Sequence, residues 1–335
     1  MKTTCIVGAG ITGLLTILLL QEAGADLSKI TLIDPFYDGG DLARKWGSVL
    51  SNTPWSKTIN ALKTFCTSLD ISSSTDPEST TPLIEIAHLI RTLSEPALKK
   101  IVQIQGTVLS ANYTQDQWAI TVCSGGSERV IQTTQLILAP GGEGKTMDLA
   151  IPSIPLDIAL DSTRLSKYLK PNSNVIVFGT MHSGTLVIKN LAAVGASITA
   201  YYNSVEPFYW DRDGIYDGIK GEAAIVADDI IAGKIPVSLI PIKDTAAVIR
   251  SSRSAEWVVY AMGIAPRTIK LYIDGVETSS TKYNETTGKL MELPAWGFGV
   301  AYPNRAPDGI HWDVGVAPFL EHIKKQIPGI LSDTK

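Results

Sequence analysis

CIVGAGITGLLTILLLQEAG, residues 5–24, is the stretch of this sequence that decides the fold. It has some features of an export signal, because Lys2 precedes the apolar run and Ala23-Gly24-Ala25 is loosely typical of a cleavage site. The run is nevertheless too short to span a bilayer, and it contains the polar residues Thr12 and Thr16. A second interpretation explains more of its residues.

The second interpretation is a strand, a turn, a helix and another strand in succession. Residues 4–7 form a short apolar strand, residues 8–13 follow the pattern G-x-G-x-x-G, and residues 14–23 form a buried helix. A second strand, residues 30–33, ends at Asp34. These flanking elements make the pattern specific, because glycine-rich turns without them recur by chance.

Each residue of the pattern has a physical reason to bind a dinucleotide. Gly8 allows the tight turn, Gly10 lets the backbone approach a pyrophosphate, and Gly13 lets the helix lie close to the strand. The helix N-terminus offers free N–H groups and a positive dipole end to the phosphates. Asp34 lies 21 residues after Gly13, where a carboxylate can bind ribose hydroxyls. We therefore predict a dinucleotide site here.

The composition limits the partners and the compartment. The 335 residues, 44% of them hydrophobic, suffice for two folded domains. The net charge is −4 and no basic stripe is present, which argues against nucleic acid and anionic membranes as partners. Cys5, Cys66 and Cys123 form neither C-x-x-C nor a metal-ligand spacing, so we expect no metal site and a reduced, cytoplasmic setting.

The second half of the chain repeats the pattern of the first. Residues 175–178 form a strand, residues 179–184 a turn and residues 185–194 a helix, and the next strand is 198–202. Two such units predict an α/β protein with two Rossmann-like three-layer domains.

The order of the remaining elements predicts that the second domain is inserted into the first. Residues 102–113 are expected to begin a set of short antiparallel strands. The Pro-rich residues 151–155 are expected to form a crossover between the domains. A matching crossover is expected over residues 266–282, and the rest of the chain does not start a third domain. The predicted first domain comprises residues 1–150 and 283–335, and the inserted domain comprises residues 156–275.

These motifs together resemble the superfamily of FAD- and NAD(P)-dependent oxidoreductases with two dinucleotide-binding domains, and most of all its flavin-dependent monooxygenases. The resemblance implies FAD in the first domain and NAD(P)H in the inserted one. The absence of C-x-x-C argues against a thioredoxin-reductase mechanism. The motifs that carry the resemblance are the first turn with Asp34, residues 136–141, 175–184, 259–263 with Pro266 and Arg267, and 309–315.

The resemblance also implies a set of FAD contacts. Asn52 would be the catalytic amide that reaches the reactive edge of the flavin, although Ser51-Asn52-Thr53-Pro54 could equally be a turn whose Asn caps backbone groups. Asp313 would face the ribityl or pyrophosphate part, with Trp312 where the family usually has Gly. The implied FAD contacts are Gly8, Gly10, Ile11, Thr12, Gly13, Asp34, Pro35, Trp46, Ser48, Asn52, Thr53, Val108, Gly141, Asp313 and Val314.

The second turn departs from the family pattern. Met181 stands at the middle glycine position, where its side chain would crowd a pyrophosphate. Either the nicotinamide nucleotide binds in an altered pose, or the domain no longer binds it and electrons come from another donor. For the first alternative, the implied NAD(P)H contacts are Gly179, His182, Ser183, Gly184 and Arg267.

We therefore expect an FAD-dependent oxidoreductase that NAD(P)H reduces and that acts on a small molecule, in the manner of the flavin monooxygenases. One alternative is an oxidase or dehydrogenase whose flavin is reduced by an organic substrate. Another is a non-catalytic dinucleotide-binding protein. A homodimer is compatible with the sequence.

Overall fold

The computed structural model describes residues 2–72, 75–208, 216, 219–291, 293–309 and 311–332. The chain divides into two compact units. Unit 1 comprises Met1–Gly47, Pro54–Glu143 and Pro266–Lys335, and unit 2 comprises Ser48–Thr53 and Gly144–Ala265.

The described residues form short strands and α-helices. The strands are β1 (Thr4–Val7), β2 (Ile30–Asp34), β3 (Val102–Gln105), β4 (Thr107–Thr114), β5 (Gln117–Ser124), β6 (Ser127–Thr133), β7 (Gln135–Leu138), β8 (Gly142–Gly144), β9 (Asn174–Phe178), β10 (Ser197–Tyr202), β11 (Ser238–Pro241), β12 (Trp257–Tyr260), β13 (Ile264–Pro266), β14 (Lys270–Ile273), β15 (Val276–Thr278), β16 (Ala295–Gly297), β17 (Asn304–Arg305) and β18 (Trp312–Asp313). The α-helices are α1 (Ile11–Glu22), α2 (Asp41–Arg44), α3 (Trp55–Phe65), α4 (Leu83–Leu98), α5 (Leu156–Ala159), α6 (Ser162–Leu165), α7 (His182–Ala193), α8 (Glu222–Ile231), α9 (Thr245–Ser254) and α10 (Val316–Ser332).

Unit 1 is built on a parallel sheet in the order β16-β7-β1-β2-β3. Successive side chains of a strand point to opposite faces. Ile6 of β1 accordingly packs with the core under α1, α3, α4 and α10, whereas Cys5 and Val7 pack with the core under a second sheet. That second sheet has the order β15-β14-β4-β5-β6 and completes a three-layer unit.

The strand predicted over residues 102–113 is two strands in the structure. β3 is parallel to β2 in the first sheet, whereas β4 is antiparallel to β5 in the second. Gly106 separates them, and a Cβ there would lie 2.7 Å from the carbonyl oxygen of Cys123. The chain therefore changes sheets at a position that has no room for a side chain.

Unit 2 contains a parallel sheet in the order β11-β10-β9-β12. Val175 and Val177 of β9 pack with α7 and α8 on one face, and Ile176 and Phe178 pack with residues before α5 and with α9 on the other. Helices and loops thus cover both faces of this sheet. The predicted α/β class with Rossmann-like units is confirmed.

The limits of unit 2 differ from the predicted limits of 156 and 275 at both ends. The chain joins unit 2 at Gly144, because Ile151 packs on its sheet and the Ile154 N–H donates to the Val258 carbonyl at 2.9 Å. It leaves at Ala265, because β14 pairs with β4 of unit 1. The expected crossover over residues 266–282 thus contains two strands of unit 1.

Both glycine patterns end inside a helix. α1 begins at Ile11 and α7 at His182, whereas the sequence predicted helices from residues 14 and 185. The last residues of each pattern therefore form the first helical turn, as a dinucleotide-binding turn requires. Within the described ranges, no helix has the length and apolar character needed to cross a membrane.

Candidate functional site

The first glycine turn is fixed by contacts that only glycine permits. Gly8 has a φ of +102°, and a Cβ there would overlap the carbonyl oxygen of Ala139 at the end of β7. A Cβ on Gly13 would overlap the carbonyl oxygen of Gly8. The two glycines therefore hold the strand, the turn and α1 close together, as the sequence predicted.

Gly10 differs from these two glycines because space is open around it. It precedes α1 with extended backbone dihedrals, and the nearest atom to a Cβ there would be the Gly40 Cα at 3.8 Å. The first turn of the 12-residue α1 carries no acidic side chain, so the positive end of its dipole is not neutralised locally. This cradle beside a helix N-terminus fits the pyrophosphate of FAD.

Asp34 organises the other side of the turn. Its Oδ2 accepts a hydrogen bond from the Ala9 N–H at 2.8 Å, and its Oδ1 accepts from the N–H groups of Phe36 and Tyr37 at 2.7 and 2.9 Å. A carboxylate has about four acceptor sites, which leaves one for a ribose hydroxyl. The sequence predicted the ribose contact but not the hydrogen bond that ties Asp34 to the turn.

Three further predicted FAD contacts lie on or next to strands of unit 1. Pro35 follows Asp34, and its carbonyl accepts from Gln105 Nε2 at 3.0 Å. Val108 lies on β4, opposite Val122, and is half-buried. Gly141 follows β7 with a φ of +75°.

Further glycines, which the sequence pattern did not predict as contacts, enclose the turn. Gly39 forms a β-bridge with Gly10, and a Cβ on Gly40 would lie 2.7 Å from the Gly10 Cα. A Cβ on Gly299 would lie within 2.5 Å of Thr12 Oγ1. Gly39 and Gly40 are visible in the sequence as an adjacent pair after Asp34, whereas no local pattern marks Gly299.

The segment expected to line the flavin is divided between the two units. Trp46 belongs to unit 1, whereas Ser48, Asn52 and Thr53 belong to unit 2. Val49 packs against the apolar core of unit 2, which explains this grouping. The structure therefore does not bring Asn52 into the same compact unit as Gly10.

Asn52 lies in a short turn of unit 2. Its side chain is exposed, and its Cα lies 4.0 Å from the position of a Cβ on Gly221. The neighbouring Ser51 Oγ donates to the Thr53 carbonyl at 2.8 Å. The exposed amide is thus available to a ligand, as a catalytic amide must be.

Asp313 lies on a two-stranded ribbon that leads into α10. It pairs with Asn304, and Trp312 pairs with Arg305, whose guanidinium lies 3.5 Å from the centre of the indole ring. Arg305 Nε also donates to Glu285 at 2.9 Å. This cation–π contact gives Trp312 a structural reason to replace the usual Gly. Val314, next to Asp313, is 54% exposed.

The second turn, in unit 2, repeats the backbone of the first. Gly179 has a φ of +102°, and a Cβ there would overlap the Ala261 carbonyl oxygen, while a Cβ on Gly184 would overlap the Gly179 carbonyl oxygen. Met181 precedes α7 and is 38% exposed. Its side chain occupies the place that Gly10 leaves open in the first turn. A pyrophosphate in unit 2 would therefore lie further from the backbone.

His182 and Ser183 form the start of α7, beside Met181. The Nδ1 atom of His182 is buried without a hydrogen-bond partner. Burial lowers the pKa of His182, and the charge of Glu222 opposes that shift. A neutral imidazole with a free ring nitrogen can hydrogen-bond a ligand at this helix end.

Arg267 belongs to unit 1, whereas the other implied NAD(P)H residues belong to unit 2. Its guanidinium donates to Asp41, to Glu143 Oε1 at 3.1 Å and to the Pro140 carbonyl at 3.1 Å. The structure thus places Arg267 beside segments that flank the first turn, and each of its three guanidinium nitrogens donates to a protein acceptor.

The sequence matches no protein-family profile. It is similar to Monooxygenase AgnR1 of Paecilomyces divaricatus, with 26% identity across 96% of this chain and 96% of that protein.

Solved structures share the fold at low sequence identity. Bacillithiol disulfide reductase Bdr (YpdA) from Staphylococcus aureus has a TM-score of 0.66 and 14% identity, covering 100% of this chain and 99% of that one. Thioredoxin reductase from Lactococcus lactis has a TM-score of 0.60 and 11% identity, covering 99% and 98%. OTEMO in complex with FAD and NADP has a TM-score of 0.59 and 14% identity, covering 99% and 86%. The expected resemblance is confirmed in the fold.

Proposed function

We propose that the protein is an FAD-dependent monooxygenase that uses NAD(P)H as its reductant and acts on a small organic molecule. The observation that carries the proposal is the open space at Gly10, beside the N-terminus of α1. A turn whose flanking glycines admit no Cβ, but whose middle glycine faces free space, is built to receive a pyrophosphate. The similarity to a protein named as a monooxygenase supports the reaction class.

The cysteines favour a monooxygenase over a disulfide reductase. All three are free thiols. Burial raises the pKa of Cys66 to about 11 and that of Cys5 further still. Because the thiolate is the reactive form of cysteine, neither of these two thiols is suited to disulfide exchange at neutral pH.

In this proposal the chain's own residues bind and orient the cofactor. The turn at residues 8–13 holds the pyrophosphate, Asp34 accepts a hydrogen bond from a ribose hydroxyl, and Asp313 faces the ribityl chain. Asn52 directs its amide to the reactive edge of the flavin. Bound FAD would supply the redox chemistry, and the protein would supply binding, orientation and electrostatics.

For NAD(P)H, we propose an altered pose on unit 2. The N–H groups of His182 and Ser183 and the free His182 Nδ1 would contact the phosphates from the helix end, because Met181 prevents a closer approach. Met181 also favours a second candidate function, an oxidase or dehydrogenase whose flavin is reduced directly by an organic substrate. We also propose that the protein is cytoplasmic. We further propose that it forms a homodimer, and sedimentation of the purified protein tests this oligomeric state.

Anaerobic reduction of the FAD-loaded protein separates the two functions. Fast bleaching of the flavin absorbance by NADPH or NADH, followed by oxygen consumption when air is admitted, is the expected result. Bleaching by both nucleotides far below the rate of turnover would favour reduction by an organic substrate. Failure of the protein to bind FAD would contradict both candidates.

A further inference from the structure

Arg267 makes a set of contacts that joins two distant segments of unit 1. Its guanidinium donates to the Asp41 carboxylate, 226 residues earlier, and to the Pro140 carbonyl at 3.1 Å. Its backbone N–H donates to the Gly141 carbonyl at 3.0 Å. Arg267 is 28% exposed and Asp41 is 14% exposed at the side chain, so the pair is largely shielded from water.

Both segments flank the first glycine turn. Asp41 directly follows Gly40, which lies against Gly10, and begins α2. Pro140 directly follows Ala139, whose carbonyl oxygen lies under Gly8. One guanidinium therefore connects the backbone on the Gly8 side of the turn with the backbone on the Gly10 side.

The chemistry of arginine suits this connection. A guanidinium is planar, permanently charged and carries donors in a rigid fork, so it can hold a carboxylate and a carbonyl in one fixed arrangement. Glu143, which is 67% exposed, accepts from Nε at 3.1 Å and completes the set. Arg44 and Lys45 also lie 3.0 and 3.7 Å from the Asp41 carboxylate, but they belong to α2 or its end. The other contacts of Arg44, with Asp38 and Phe36, lie just before α2 in the chain, so Arg44 does not reach the Pro140 segment.

We propose that Arg267 is a positioning residue for the FAD pyrophosphate site, and not a ligand of NAD(P)H. By holding Asp41 to Pro140, it keeps Gly40 against Gly10 and so fixes the width of the cradle before the cofactor binds. The identification of the ligand as FAD rests on the proposed function. The mechanism is preorganisation, in which a site already in its bound shape loses less entropy on binding.

The dissociation of FAD from the holoenzyme tests the proposal. For Arg267→Met, the dissociation constant, measured from the fluorescence of released FAD, should rise by about tenfold or more, and Arg267→Lys should restore only part of it because an ammonium lacks the fork. Asp41→Asn should weaken FAD binding similarly, and adding it to Arg267→Met should have little further effect, since loss of the Arg267–Asp41 contact is the expected cause of both effects.

Two further measurements distinguish positioning from an NAD(P)H contact and from a general effect of removing an ion-paired arginine. The KM for NAD(P)H, measured at saturating FAD, should stay at the wild-type value in Arg267→Met. Arg164→Met is the control, because Arg164 also pairs with an aspartate, Asp157, at 2.9 Å, but in unit 2. It should leave FAD dissociation unchanged.

The outcomes are distinct from those of the proposed function. If the wild-type protein binds no FAD, the proposed function fails. If it binds FAD and Arg267→Met retains it equally well, the role of Arg267 is overturned. A raised KM for NAD(P)H with unchanged FAD dissociation would also overturn it, in favour of a nicotinamide-nucleotide contact.

Discussion

Met181 in the second turn has nearly the same backbone conformation as Gly10 in the first. Its φ and ψ are −76° and −166°, against −71° and −176° for Gly10. Neither conformation requires glycine, because both φ values are negative. The two turns therefore differ at this position through the side chain alone, and the space beside the helix N-terminus differs with it.

Removing the Met181 side chain should open the second turn. In Met181→Gly, the dissociation constant of NAD(P)H from the anaerobic FAD-loaded protein should fall several-fold, because a pyrophosphate can then approach the backbone. Stopped-flow flavin reduction at a series of nucleotide concentrations measures this constant.

Ile225→Gly changes an exposed side chain of α8 in the same unit and should not strengthen nucleotide binding. If Met181→Gly binds NAD(P)H no more tightly than the wild-type protein, Met181 does not restrict the site.

Asp34 should support both the turn and the cofactor. In Asp34→Asn, an amide NH₂ group replaces one carboxylate oxygen and then faces a backbone N–H, so one hydrogen bond is lost. We therefore expect the free energy of unfolding to fall by about 1–3 kcal/mol. FAD binding should weaken by about tenfold. Urea unfolding of the FAD-free protein and FAD titration measure the two effects separately.

Asp26→Asn is the control for this substitution, since Asp26 accepts from the Ser28 N–H in an exposed turn away from the glycine pattern. It should not change FAD affinity. Wild-type affinity in Asp34→Asn would show that this carboxylate does not serve the cofactor.

The buried imidazole of His322 should make stability depend on pH. Burial, together with the charge of Lys325, lowers the pKa of His322 to about 4, although a backbone contact with Thr286 opposes the shift. In the unfolded chain His322 binds a proton near pH 6.5, whereas in the folded chain it binds one only near pH 4. Its contribution to the free energy of unfolding is therefore fully present above about pH 6.5 and is lost as the pH falls towards 4.

His322→Leu should reduce this dependence, because leucine cannot bind a proton and suits the apolar contact with Phe298. Urea unfolding midpoints at pH 7.5 and 5 measure it. The exposed His88 provides the control, and His88→Gln should behave as the wild type. An equal loss of stability in wild type and His322→Leu would show that another group titrates.

Asn52 should affect turnover without affecting cofactor content. If its exposed amide acts at the flavin edge, Asn52→Ala should lower kcat by about tenfold or more while FAD remains bound. Steady-state NAD(P)H oxidation and the FAD absorbance of the purified variant test both statements. Asn60→Ala, an exposed amide on α3, should leave kcat unchanged.

The alternative for Asn52 is a capping role in its turn. In that case Asn52→Ala would retain full turnover and would lower only the unfolding midpoint.

The first turn could be predicted because its determinants are local in sequence. The strand, the glycine pattern, α1 and Asp34 fall within the first 34 residues, and each has a periodicity or a spacing of its own. The approach of Gly40 and Gly299 to this turn could not be predicted. It depends on how backbone segments that are distant in sequence fold back onto Gly10 and Thr12.

Arg267 and residues 48–53 show what a local sequence pattern leaves out. Arg267 follows a motif that resembles a nucleotide-side loop, yet its side chain turns to Asp41 in unit 1. Ser48 to Thr53 follow the FAD turn in sequence, but the apolar side chain of Val49 is packed in the core of unit 2. In both cases the deciding interaction is long-range, and no periodicity in the sequence records it.

The central claim is that FAD binds on the first glycine turn. A comparison of the FAD affinity of the wild-type protein with that of Gly10→Met tests this claim most directly. A Cβ at Gly10 meets no protein atom closer than 3.8 Å, so the fold should tolerate the side chain that the second turn already carries. We predict a yellow wild-type protein with one bound FAD and a Gly10→Met variant that unfolds at the wild-type urea concentration but has lost FAD. A wild-type protein that binds no FAD, or a variant that binds it equally well, would contradict the claim.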